Sequence, residues 1–261
     1  MKNYKVYCFD LDGTVYHGTE PVPEAVALIE KLQEQGIEPY YITNNSSATP
    51  VQVQRKLAGF GVHTKAKYIV TSAIAAAHYC KENFAGAKVQ MFGETGLREA
   101  LVAEEIELVT SKPDVVVMGI DREVTYEKLT DLCLNIRAGA KFIATNGDRA
   151  MPTERGLLPG TGSFIKLVEY STGVTPMFMG KPEPFMLSYI QEKSGYSKED
   201  MILIGDNYDT DILAGIRYGI ATAHVEGGVT SREEVLLKEN HPTYLLENLA
   251  SVSIEKAFHG M

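Results

Sequence analysis

The chain is short of positive charge: 25 lysines and arginines face 34 acidic side chains, a formal charge of −9 over 261 residues. That deficit argues against a nucleic-acid partner, because phosphate backbones are held by clustered Lys and Arg. Cysteine is scarce too. The three present, Cys8, Cys80 and Cys133, are odd in number and lack CxxC spacing. Cys8 and Cys133 sit in apolar patterns and read as buried, reduced thiols. None of the six histidines forms HExxH or another metal spacing, so zinc is not supported. No apolar run reaches the roughly 18 residues of a membrane span. The first residues, MKNYKVYCFD, hold a short apolar run ended by an aspartate, unlike a secretory leader. A cytoplasmic chain with no membrane partner is expected. Repeats, low-complexity tracts and Pro/Ser-rich linkers are missing as well.

What is present is an ordinary globular composition, 44% hydrophobic and 23% charged, enough to build a core without staples. Short apolar runs alternate with helix-period segments throughout. Val6–Phe9, Pro39–Ile42, Tyr68–Thr71, Lys88–Phe92, Val115–Met118 and Lys141–Ala144 read as strands. So do Met177–Met179, Met201–Ile204, Ala221–Val225 and Thr243–Leu246. Among the helices, Ala25, Leu28, Ile29 and Leu32 share one face and Gly36 stops the run. Leu129, Leu132, Cys133 and Ile136 repeat that pattern, with Thr125 as N-cap and Gly139 as stop. Such alternation predicts an α/β fold with doubly wound parallel sheets.

Four stretches carry chemistry. VYCFDLDGTV, residues 6–15, runs an apolar strand into Asp10 and Asp12 and then a Gly-Thr turn. At strand spacing the two carboxylates project to one side, at the strand end where open parallel sheets bind ligands. Two adjacent carboxylates repel unless a cation or a shared proton intervenes. An EF-hand starting at Asp10 would need Glu where Pro21 stands, so that reading fails. YYITNNSS, residues 40–47, ends another strand at Thr43 with amides and hydroxyls that could grip an anion. A polar βα turn is the commoner explanation of such a stretch taken alone. GKPEP, residues 180–184, offers Lys181, a surface lysine or a cation for a phosphate dianion. ILIGDNYDTDI, residues 202–212, ends a strand at Asp206 and adds Asp209 and Asp211. Acids favour the first turn of a helix, which accounts for Asp209 and part of Asp211 but not Asp206. Carboxylate oxygens are what a hard cation such as Mg²⁺ takes.

The order DxDGT, Thr, Lys, GDxxxTD resembles the haloacid dehalogenase superfamily, whose four motifs follow that order. GDNYDTDI and the long insertion between the Thr and Lys stretches look like the subgroup with a type II (IIA) cap. TNGDRAMPTERGLLPGTGS and TGVTPMFMGKPEP further resemble its NagD-like, p-nitrophenyl phosphatase-like branch. The resemblance spans essentially the whole chain. It implies a Rossmann-like core over residues 1–81 and 179–261 with an α/β cap inserted at 82–178. It also implies a Mg²⁺-dependent phosphatase that hydrolyses small phosphate monoesters (sugar phosphates, nucleotides or similar) through an aspartyl-phosphate.

Carried over residue by residue, Asp10 is the nucleophile and Asp12 the general acid and then base. Mg²⁺ is held by the Asp10 carboxylate, the Asp12 main-chain carbonyl and Asp206, with Asp211 orienting a metal-bound water. Thr43, Asn44 and Lys181 bind the phosphoryl oxygens. The cap loop Asn146–Arg155 faces the leaving group, with Arg149, Met151 and Thr153 as contacts. Asp12 argues against a dehalogenase. A phosphomutase or phosphotransferase on the same core, or an inactive phosphate-binding regulator, remains an alternative. Gly160-Thr161-Gly162 lacks the last glycine of GxGxxG and follows no strand directly, against a dinucleotide site. The sequence leaves a homodimer open.

Overall fold

A computed structural model describes residues 1–153 and 155–252 of the chain. It divides into two compact units: residues 1–43, 51–70 and 181 onward form the first, residues 44–50 and 71–180 the second. Each is α/β.

The first unit is built on a sheet ordered Tyr244–Leu246, Ala221–Val225, Met201–Gly205, Val6–Asp10, Tyr40–Thr43, Ile69–Thr71. Val6–Asp10 lies at its centre, parallel to both neighbours, with Cys8 opposite Leu203 on one side and Tyr40 on the other. Parallel strands are covered on both faces, which is why Val6–Asp10 and Met201–Gly205 are buried at every position. Fully burying side chains such as Phe9, Leu203 or Ile204 contributes about 1.5–3 kcal/mol each. The helix Pro23–Glu34 turns Ala25, Leu28, Ile29 and Leu32 inward, as its sequence period requires.

The second unit holds its own parallel sheet, ordered Met177–Phe178, Lys141–Ala144, Val115–Met118, Lys88–Phe92, Glu107–Leu108. Its core packs Phe92, Val116, Met118 and Phe142 against Leu132 and Ile136 of the helix Tyr126–Arg137. The Thr125 side chain caps that helix by accepting from Lys128 N. An antiparallel hairpin, Ala150–Thr153 with Gly156–Pro159, follows the Lys141–Ala144 strand. Among the described residues, no helix is long and apolar enough to cross a membrane. All three cysteines are free and buried.

Candidate active site

The site of the first unit grows from the carboxyl end of its central strand. Val6–Asp10 ends at Asp10, and the chain turns at once: the Leu11 carbonyl accepts from Thr14, Val15 and Tyr16 N–H groups at 3.3, 2.8 and 3.1 Å. Gly13 takes φ +101°, and a Cβ there would strike the Asp206 carboxylate, so the DxDGT glycine is doubly required. Asp12 therefore belongs to a turn, where pleat alternation no longer sets its direction. It is exposed and accepts from Gly18 N–H at 3.4 Å.

Four functional side chains predicted from sequence meet here. Carboxylate oxygens of Asp10, Asp206 and Asp211 lie within 4.8 Å of one another, all three residues buried. Lys181, only 4% exposed, donates to Asp10 Oδ1 and, at 2.7 Å, to Asp211 Oδ1. Asp211 Oδ2 also accepts from Asn207 N–H at 3.1 Å. One ammonium thus bonds two of the three carboxylates. Burial, and then the Asp211 charge, push the Asp10 carboxyl well above the usual carboxylate range despite Lys181. Burial and Asp211 also raise Asp206. Burial alone would lower Lys181, but Asp10 and Asp211 outweigh it, so the lysine stays charged. Three carboxylates outnumber the single ammonium, and the metal-ligating atoms on offer are all oxygen. That donor set suits a hard divalent cation.

Several groups around Asp206 escaped the sequence reading. Thr14 Oγ1 donates to Asp206 Oδ1 at 2.9 Å, and Val229 N–H to Oδ2 at 2.8 Å. The Asp206 carbonyl accepts from Thr230 N–H at 3.2 Å and pairs with His224 Nε2 at 3.0 Å. A carbonyl only accepts, so Nε2 carries the proton; burial holds this imidazole below its usual range and therefore neutral. Gly228 packs against Asp206 so closely that any Cβ would collide with it. Thr14 could have been found in DxDGT. The Gly227-Gly228 pair after the Ala221–Val225 strand carries no recognisable motif. Asp211, expected behind the metal ligands, lies within the carboxylate cluster itself. It sits in a single π-type turn, Tyr208–Ile212, a geometry frequent at functional sites.

The remaining candidates divide between the two units. Thr43 ends the strand beside Val6–Asp10, one residue beyond the Asp10–Ile42 pair. Asn44 groups with the second unit. So do Arg149, Met151 and Thr153, on or beside the hairpin. Arg149 is exposed; half-buried Met151 receives Arg122 Nη2 on its sulfur at 3.6 Å. The Thr153 hydroxyl is used by the hairpin turn, donating to Gly156 O at 2.8 Å and accepting from Arg155 N–H at 3.2 Å. Glu154 of this loop lies outside the described residues.

Buried acids and a lysine gathered at parallel strand ends, with a second α/β unit interrupting the chain, define a class that known proteins make explicit. A family model described as haloacid dehalogenase-like hydrolase matches residues 7–107, and one described as HAD-hydrolase-like matches 178–252. An acid sugar phosphatase of Staphylococcus saprophyticus is 46% identical over 97% of this chain and 98% of its own. Among solved structures, a mutant of the thermostable p-nitrophenylphosphatase from Bacillus stearothermophilus superposes with a TM-score of 0.90. It is 44% identical and covers 97% of this chain and 99% of its own. A glycerol phosphate phosphatase from Mycobacterium tuberculosis, solved in complex with magnesium, matches with a TM-score of 0.89. There the identity is 32%, over 95% of this chain and 77% of that one. The chain belongs to the haloacid dehalogenase-like hydrolases. Within them it is a phosphatase of the NagD-like branch.

Proposed function

We propose that this phosphatase hydrolyses small phosphate monoesters by covalent catalysis on Asp10, with Mg²⁺ as its metal. The observation that carries the reading is the buried group of Asp10, Asp206 and Asp211 around Lys181. Asp10, the Asp12 carbonyl and Asp206 would hold Mg²⁺. When bound, the ion supplies positive charge that favours the ionised Asp10 and offsets charge on the phosphoryl oxygens.

The residues divide the work. Lys181, bonded to Asp10 Oδ1, fixes the carboxylate and neutralises charge on the incoming phosphoryl group. An Asp10 oxygen bonds to phosphorus as the ester P–O bond breaks, while Asp12 gives its proton to the leaving oxygen. Water then attacks phosphorus, its proton returns to Asp12, and the Asp10–phosphorus link breaks to release inorganic phosphate. The exposure of Asp12 suits a group that must reach substrate and water in turn. Uncatalysed monoester hydrolysis is so slow that accelerations reach about 10²¹-fold. Most of that comes from positioning and fixed charge, because the transition state spreads charge over three oxygens.

Relatives named acid sugar phosphatase, p-nitrophenylphosphatase and glycerol phosphate phosphatase support a small ester of this kind. In this reading the second unit is the cap that selects it. The test is hydrolysis of p-nitrophenyl phosphate with Mg²⁺ by wild type and Asp10→Asn. Loss of turnover by several orders of magnitude in a folded variant is expected. Near-wild-type turnover removes Asp10 as the nucleophile.

A further inference from the structure

The candidate selectivity loop starts at the carboxyl end of the Lys141–Ala144 strand, where Thr145 and Asn146 are buried and Asp148 is half-buried. One carboxylate there spans two amides. Asp148 Oδ2 accepts from Asn146 Nδ2 at 2.6 Å, and Oδ1 accepts from Asn44 Nδ2 at 3.3 Å. The Asn146 Oδ1 in turn accepts the Thr145 hydroxyl at 2.9 Å. Asn44 directly follows Thr43 in the chain, and its carbonyl accepts from Ser72 Oγ at 2.7 Å. Gly180, the residue before Lys181, packs on the same place. A Cβ at Gly180 would lie 2.6 Å from both Asn44 Oδ1 and the Thr145 carbonyl.

The backbone under Asp148 is fixed independently. Gly160 N–H donates to Arg149 O at 3.0 Å, Gly162 N–H to Asp148 O at 2.9 Å, and Ser163 Oγ to Arg149 O at 2.7 Å. A side chain at Gly162 would collide with the Gly147 carbonyl. The Gly160-Thr161-Gly162 run, contrary to the sequence expectation, directly follows a strand, Gly156–Pro159, and both of its glycine N–H groups are spent on this loop. Asp148 is therefore held on a braced backbone while its carboxylate reaches two separate side chains.

We propose that Asp148 is a positioning residue that couples phosphate grip to leaving-group selection. It orients the Asn44 amide, and with it the turn leaving Thr43, while anchoring the first residues of the loop Asn146–Arg155. A carboxylate suits this task, since charge-assisted bonds are shorter and stronger than neutral ones and both oxygens accept. The inference rests on the reading of Thr43 and Asn44 as phosphate-binding residues.

The test is a double-mutant cycle on the full chain with Mg²⁺, covering Asn44→Ala, Asp148→Ala and the combined variant. The inhibition constant of inorganic phosphate is read beside kcat/KM for p-nitrophenyl phosphate and glycerol phosphate. Each single substitution should weaken phosphate by about tenfold, and the combination by no more than about threefold beyond either, because both remove one interaction. Asp148→Asn keeps the shape but turns a donor toward one of the amides, so it should also weaken phosphate; it serves if Asp148→Ala does not fold. Factors that multiply to about a hundredfold, or Asp148 variants that bind phosphate like wild type while Asn44→Ala does not, overturn the coupling alone. An Asn44→Ala variant with unchanged phosphate inhibition removes the phosphate role of Asn44, and the coupling with it.

Discussion

Replacing Asp10 by asparagine should make the metal-free protein more stable while it destroys activity. Asp10, Asp206 and Asp211 place carboxylate oxygens within 4.8 Å of each other, with one ammonium, Lys181, among them. At an effective dielectric near 20, two like charges about 4.8 Å apart repel by about 3.5 kcal/mol. Asp10 faces two such repulsions, about 7 kcal/mol together, against an attraction to Lys181 of about 5–6 kcal/mol at roughly 3 Å. Burial of the charge adds to the unfavourable side. Asparagine removes the repulsions and can still accept from Lys181, which keeps its 2.7 Å bond to Asp211. The net gain should be about 1–3 kcal/mol, or about 2–12 °C in melting temperature at this chain length.

The sign in pH follows from the raised Asp10 pKa. Its ionised form opposes folding, so the penalty is absent below the ordinary value of 3.8 and grows as pH rises toward the folded-state value. The advantage of Asp10→Asn in excess EDTA should therefore be small near pH 4 and larger near neutrality. Adding Mg²⁺ should stabilise wild type more than the variant, by about 2.7 kcal/mol at a hundredfold excess over Kd for full binding. Differential scanning calorimetry of both proteins across pH reads all of this. If Asp10→Asn melts lower than wild type without metal, the Lys181 bond outweighs the crowding and the charge argument is wrong.

Activity should be lost in EDTA and restored by Mg²⁺, while Ca²⁺, which takes more and longer oxygen ligands, should suppress it; full turnover after verified metal removal contradicts the assignment. Gly228→Ala should lower both Mg²⁺ affinity and turnover by at least about tenfold, since a displacement of about 1 Å can cost about 100-fold. The reason is that the new Cβ would collide with Asp206. Titration with Mg²⁺ at saturating p-nitrophenyl phosphate checks it, and wild-type behaviour would show that the loop simply gives way. Met151→Ala and Arg149→Ala should change kcat/KM unequally across several phosphate esters. One common factor for every ester, or no change, rules their loop out as the selector.

The sequence by itself determined the periodic elements and the chemistry-bearing strand ends. Lys88–Phe92, Val115–Met118, Lys141–Ala144 and Ala221–Val225 form strands at the expected bounds, because strands of parallel sheets are largely buried and favour mostly apolar runs, most completely in Val115–Met118. Thr125 caps its helix for an equally local reason. Tertiary structure decided the rest. The hairpin Ala150–Thr153 with Gly156–Pro159 was illegible because Pro152 and Pro159 argue against strands, yet a two-stranded ribbon has outer edges that need no donor. Strand periodicity could not orient Asp12, since the turn begins at Leu11. Nothing local tells that Asn44–Pro50 joins the second unit, that Gly228 backs Asp206, or that Asp148 reaches Asn44. Periodicity is a property of neighbouring residues, whereas these meetings depend on where distant segments cross, and that is settled only when the sheets pack.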